Sequence, residues 1–198
     1  MQKKDEYLFD LLKTSTLQTA GNHKSQSNTS TVVARQTKLN LHIRPAKPEE
    51  IDILYALVCE LALFEGKDVT SLSLTKENLF KFGFSKNPYY HTELAIVDGN
   101  IVGYALYFYT FSANQGFPIL YLEDLYLKEE YRKQGIGYQM LKKLAQHAKD
   151  HQCCRLEWHV FSWNELAIRL YQKLGGFLKD DLIQVRLERE SFENITDN

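Results

Sequence analysis

The stretch LYLEDLYLKEEYRKQGIGYQMLKKL, residues 120–144, begins as a buried strand and ends as an amphipathic helix. Its first part is apolar except for Glu123 and Asp124. Its middle is Arg132-Lys133-Gln134-Gly135-Ile136-Gly137. From residue 138 to 150, Met140, Leu141, Leu144, Ala145 and Ala148 recur at the spacing of one helix face. A strand that passes through glycines into a helix aims several backbone N–H groups the same way, at the positive end of the helix dipole. That is an anion site of the kind that takes phosphate or pyrophosphate. Gly135 and Gly137 let the backbone come close to a ligand with no Cβ in the way. Arg132 adds a cation able to pair with phosphate oxygens.

The rest of the chain reads as alternating elements around this core. Residues 41–44 alternate as a short strand. Pro48 with Glu49 and Glu50 starts a helix. Its apolar face runs through Ile51, Leu54, Tyr55, Val58, Leu61 and Ala62, and its next position is Glu65, before Gly66 stops it. An acid there either points at something or has reached solvent. A short helix is expected at 75–82. Strands at 90–97 and 101–111 flank Asp98-Gly99-Asn100, a strong hairpin signal. A loop at 112–118 leads to the central strand at 119–128. A strand at 155–161 is followed by a helix that Asn164 can cap, with Ala167, Leu170, Tyr171 and Leu174 inward and Gly175-Gly176 at its end. A last, more polar strand is expected at 184–188. The order is β-α-α-β-β-β-α-β-α-β.

The chain has 198 residues, 44% hydrophobic, enough for one domain with a sizeable core. Its net charge of -1 argues against a nucleic-acid partner or a polybasic membrane surface. No apolar run reaches the roughly 20 residues of a membrane span. Three cysteines, two of them adjacent, form neither a redox pair nor a zinc knuckle, and a cytoplasmic setting is the simplest expectation. The six histidines show no ligand spacing, are expected on surfaces or strand ends, and no metal is expected. Residues 1–38 are read as a flexible N-terminal extension with a polar stretch at 22–36, and residues 39–198 as the domain.

Three phosphate-binding patterns compete for the glycine turn. A Walker loop is absent. A dinucleotide fingerprint is incomplete, because Met140 stands at its third glycine; that disfavours a nucleotide-dependent oxidoreductase. The third pattern, R-x-x-G-x-G over residues 132–137, is the pyrophosphate loop of the Gcn5-related N-acetyltransferases. From residue 39 to about 187 the chain resembles that superfamily element by element. More narrowly it resembles the diamine (spermidine/spermine) and thialysine N-acetyltransferases. The matching stretches are IRPA at 43–46, ELALFE at 60–65, GF and NPYYH within 83–91, YLEDLYL at 121–127, YRKQGIG at 131–137, and WN and LYQKLG within 163–175.

The resemblance implies an α/β (α+β) fold: a mixed, mostly antiparallel sheet flanked by helices, with a splayed central strand pair opening a cleft. It implies acetyl-CoA as co-substrate and a small primary amine as acceptor. The cofactor would be held by Arg132, Lys133, Gln134, Gly135, Ile136 and Gly137, by the backbone of Leu125, Tyr126 and Leu127, and by Asn164. The same backbone N–H groups can stabilise the thioester oxygen as it turns negative. The amine, whose pKa is about 10, must lose a proton. Glu123 and Asp124 are candidates, expected on opposite faces of an alternating strand. The family places its base at Glu123. Asp124 is catalytic or structural, either acid having a structural cation such as Arg44 as its alternative partner. The family's acid sits at Tyr171, which would protonate the leaving thiolate.

Phe64 and Glu65 match positions that contact substrate. With Glu123 and Asp124 they would make an acidic pocket for a diamine, polyamine or lysine-like molecule. The chain departs from the family near its end, where LIQV at 182–185 replaces EEGW. A peptide or protein amine as acceptor, or a coenzyme A–binding protein without catalysis, are the competing readings. The subfamily pairs its subunits through the sheet edge and the C-terminal strand, so a homodimer is expected.

Overall fold

In the computed structural model, residues 39–163, 165–179 and 181–192 are described. The expected 1–38 extension and Asn164 lie outside them. The elements are β1 (Leu41–Pro45), α1 (Ile51–Phe64), α2 (Lys76–Gly83), β2 (His91–Val97), β3 (Asn100–Ser112), β4 (Phe117–Leu127), α3 (Ile136–Asp150), β5 (Leu156–Glu157) and α4 (Glu165–Lys173). They form the expected α/β arrangement. The sheet runs β1-β2-β3-β4-β5, antiparallel throughout except for the parallel β4–β5 pair.

The two long helices, α1 and α3, lie where their apolar stripes meet the sheet faces. Leu54, Leu57 and Leu61 of α1 pack with Leu94, Tyr104 and Tyr126 on one face. Ile136, Met140, Leu141, Leu144 and Ala148 of α3 pack with Val97, Ala105, Leu120, Leu122 and Leu127 on the other. Burying each large aliphatic side chain is worth about 1.5–3 kcal/mol. Glu50 holds the start of α1 in place. Its carboxylate accepts two bonds from Arg44, at 2.6 and 2.8 Å, and one from the Lys47 N–H at 2.8 Å. Arg44 therefore serves Glu50, not Glu123 or Asp124. Thr75 caps α2, its Oγ1 accepting from the Asn78 N–H at 3.0 Å. Asp98 and Gly99 take positive φ, 49° and 83°, as a two-residue hairpin turn requires.

Two expectations are corrected. The strand expected at 155–161 pairs with β4 only at Leu156 and Glu157, opposite Leu120 and Tyr121. The two chains then diverge, which is the splay the resemblance implied. The strand expected at 184–188 is irregular. A strand needs an edge to pair with, and none lies beside this segment among the described residues. Ile183 and Val185 are left 91% and 85% exposed.

Candidate active site

The site begins with a break in strand register. Leu106 pairs with Asp124, but Tyr107 pairs with Leu122, so Glu123 is the extra residue of a bulge. Side-chain parity changes across it. Leu120 and Leu122 face the α3 core before the bulge, and Leu127 faces it after. Asp124 is thereby turned to the α1 side with Tyr104 and Tyr126, and strict alternation no longer sends Glu123 and Asp124 to opposite faces. Both line one cleft.

That cleft lies where β4 and β5 part. One wall is Leu122 to Leu125; the other is Trp158, His159, Val160 and Phe161. The end of α1 contributes Leu61, Phe64 and Glu65, and Trp163 and Tyr171 complete it. Residues 125–127 pair with β3 through one backbone edge. Along their other edge no strand lies among the described residues, and Leu125 lines the cleft.

The carboxylates differ in setting. Glu123 is exposed, contrary to the burial expected from its apolar neighbours, because the bulge pushes it out of the ladder. Asp124 is the enclosed one. Burial pushes its carboxyl up to about 6, the Tyr104 hydroxyl opposes this by donating to Oδ2 at 3.0 Å, and nearby Glu123 and Glu65 add to the rise. Glu65 caps α1 and pairs with Lys67 Nζ at 2.6 Å. Lys67 thus offsets part of the negative charge, and sequence reasoning did not anticipate it.

Tyr171 comes from α4 and packs edge-on against Trp158, with ring centroids 4.8 Å apart. Burial pushes its phenol up to about 12, so it stays protonated at neutral pH. Its hydroxyl is therefore available as a proton donor in the cleft. His159, like the other histidines, is expected from the sequence on a surface or strand end. It lines the same cleft, and its Nδ1 lies 2.6 Å from the Tyr121 hydroxyl. No pattern in the sequence singles it out; it reaches the cleft because the chain parts from β4 after Glu157.

The glycine loop follows at the end of β4. Gly135 sits at the N-cap of α3 with φ of 77°, and Lys133 has φ of 63°. This backbone exposes the N–H groups of the first turn, which precede the first helical bond, from Gln139 N–H to the Gly135 carbonyl at 3.2 Å. The cradle fits a pyrophosphate, because a side chain at Gly135 would be both strained and in the way. Lys133 and Gln134 are exposed, while Ile136 and Gly137 are buried in the helix start. Arg132 is largely enclosed, 9% exposed. Its Nε donates to the Leu127 carbonyl at 2.9 Å and its guanidinium lies over the Phe64 and Tyr126 rings, 4.7 and 5.7 Å from their centroids. In this conformation the side chain braces the loop against β4 and α1. The outward side chains of the loop are those of Lys133 and Gln134.

A sheet split at a bulged strand, with a glycine-capped helix at the strand's end, sets an anion cradle beside an acidic cleft. Residues 56–177 match the Acetyltransferase (GNAT) family, and the chain belongs to it: it is an acetyl-transferring enzyme. It is 39% identical over 142 residues to a thialysine N-epsilon-acetyltransferase of Bos taurus, covering 68% of this chain and 82% of the relative. It is 33% identical over 150 residues to the human spermidine/spermine N(1)-acetyltransferase-like protein 1, covering 72% of this chain and 21% of that longer protein. An integron cassette protein from the mobile metagenome of V. cholerae shares the fold, with a TM-score of 0.66 at 22% identity, over 81% of this chain and 100% of that one.

Proposed function

We propose that the chain transfers the acetyl group of acetyl-CoA to a primary amine of a small diamine, polyamine or lysine-like molecule such as thialysine. The observation that carries this is the gathering of Glu65, Glu123 and Asp124 along one cleft that Tyr171 also lines. A cluster of carboxylates attracts a molecule with two positive charges more than one with a single charge. The names of the similar proteins point to the same substrate class.

Each residue then has a task. The backbone of 133–137 and the start of α3 hold the pyrophosphate. The strand edge at 125–127 binds the pantetheine arm and aims N–H groups at the thioester oxygen. Glu65 and Phe64 receive the distal part of the amine. Glu123 and Asp124 hold the reacting ammonium. Tyr171 donates its proton to the sulfur as the C–S bond breaks. Asn164, which matches a cofactor-contacting asparagine of the family, contributes to cofactor binding. The protein works as a homodimer in the cytoplasm: the apolar, exposed segment at 182–187 has the composition of a strand awaiting an edge, which a second copy would supply, and Cys59, Cys153 and Cys154 are free thiols.

The test is steady-state turnover against an amine panel. Diaminopropane, spermidine and thialysine are expected to be acetylated, and butylamine poorly. Glu65→Gln is expected to raise KM for diamines by about tenfold, the loss of about 1.4 kcal/mol, and to leave a monoamine unaffected. Equal turnover of butylamine and diaminopropane would remove the acidic-pocket reading. Sedimentation of a fully active monomer would remove the dimer.

A further inference from the structure

We propose that the stacked rings of Phe161 and Trp163 form the subsite for the far end of the acceptor, a cation that carries alkyl groups on its nitrogen, as the inner nitrogen of a polyamine does. This rests on the reading of the cleft as an amine acetylation site and narrows its substrate class.

The chain beyond β5 puts the two rings there. Trp158 and Val160 pack against the core beneath α3. His159, between them, reaches the other side, where its Nδ1 lies 2.6 Å from the Tyr121 hydroxyl. Phe161 is the next residue of that outward set. Trp163 then lays its indole on Phe161, with ring centroids 5.2 Å apart and planes 19° from parallel. Both rings line the cleft that holds Glu65, Glu123 and Asp124, yet they are 52% and 47% exposed. Aromatic surface left open beside carboxylates is what a ligand both apolar and positive would cover.

The two ends of a diamine ask for different surroundings. The reacting nitrogen must shed a proton, so it belongs beside carboxylates. The far nitrogen keeps its charge throughout. An aromatic face attracts that charge through the ring quadrupole and needs no N–H bond to do so. A carboxylate draws part of its hold from N–H donors, which alkylation removes. Lys67, 2.6 Å from Glu65, further reduces what that carboxylate offers a second cation. The Phe64 ring already carries the Arg132 guanidinium, 4.7 Å from its centroid. Phe161 and Trp163 are therefore the rings that suit an alkylated far cation, its methylene groups lying on their faces and its charge shared with Glu65.

The test is kcat/KM of the full chain, followed by coenzyme A release, for three acceptors: diaminopropane, (3-aminopropyl)trimethylammonium, and 4,4-dimethylpentylamine, which has the shape of the second without its charge. Wild type is expected to use the trimethylammonium acceptor within about threefold of diaminopropane, and about tenfold or more better than the uncharged one. Phe161→Leu and Trp163→Leu keep apolar surface and remove the quadrupole. Each is expected to raise KM for the trimethylammonium acceptor by about five- to thirtyfold, the range of a cation–π contact, with kcat little changed. The uncharged acceptor is expected to be used as by wild type, so the preference for charge collapses. Should Trp163→Leu melt early, Phe161→Leu decides, because its half-exposed ring can be lost without opening the core. Leucine variants that keep the full preference for charge would overturn the subsite and leave the far cation to the carboxylates. So would a wild type that acetylates diaminopropane but not the trimethylammonium acceptor, with the amine reading intact. A wild type inert toward every amine would overturn that reading itself, and the subsite with it.

Discussion

The Tyr104 hydroxyl donates to Asp124 Oδ2 at 3.0 Å, from a tyrosine that is 0% exposed. The bond ties a core residue of β3 to a carboxyl at the cleft and links packing to chemistry.

It also sets a pH dependence. Asp124 has its folded pKa raised from 3.8 to about 6, chiefly by burial. The folded state then holds the proton more tightly than the unfolded one, so stability falls as pH rises through that window and stays reduced above it. Asp124→Asn keeps an acceptor for Tyr104 and removes the charge. It is expected to stabilise the protein at pH 7.5 by about 1–3 kcal/mol, with the gain shrinking as pH falls toward 4. Melting curves across pH check this, and a loss of stability at pH 7.5 would contradict it. Tyr104→Phe is expected to push the Asp124 carboxyl higher still, because the bond that favours its charge is gone.

Tyr171→Phe removes the hydroxyl and keeps the ring against Trp158. It is expected to lower kcat by about 10²-fold or more, with acetyl-CoA affinity little changed. Single-turnover kinetics with a diamine, alongside a binding isotherm, separate the two quantities. A wild-type rate would make Tyr171 a packing residue only.

Gly135→Asp places a β-carbon at φ of 77° and a negative charge at the start of α3. The strain is worth about 1–2 kcal/mol, which leaves the domain folded. Acetyl-CoA affinity is expected to be lost, read by calorimetry or by the absence of a ligand-induced rise in melting temperature. Unchanged affinity would take the loop out of the site.

On the sheet face beneath α3, His147 Nε2 meets Glu93 Oε1 at 2.8 Å, and the Glu93 side chain is 2% exposed. Glu93 Oε2 has no partner among the described residues. Removing the imidazole leaves this carboxyl enclosed with neither oxygen bonded. His147→Ala is expected to cost about 3–5 kcal/mol, and Glu93→Gln less, because a neutral amide tolerates burial better. Equal small shifts in chemical denaturation would show that the pair contributes nothing net.

Much of this protein was legible in one dimension because it follows from local rules. Helical spacing marks the stripes of α1 and α3, Asp98-Gly99 marks the hairpin, and Gly135 before a helix marks the anion cradle. These depend on neighbours three or four residues away, and the family motifs extended them to the cleft and to Tyr171. Long-range pairing was not legible. The bulge that exposes Glu123 and turns Asp124 inward exists only because Leu106 and Tyr107 pair with Asp124 and Leu122 across the β3–β4 ladder. Arg132 stacks on Phe64, a residue from another helix. His159 joins the cleft because β5 departs from β4 after Glu157 and Tyr121 catches its ring. The segment at 184–188 has a strand's pattern, but pairing needs an edge, and among the described residues none lies beside it. Periodicity tells which residues turn inward from an element; which elements meet, and in which register, is decided by contacts between residues far apart in the chain.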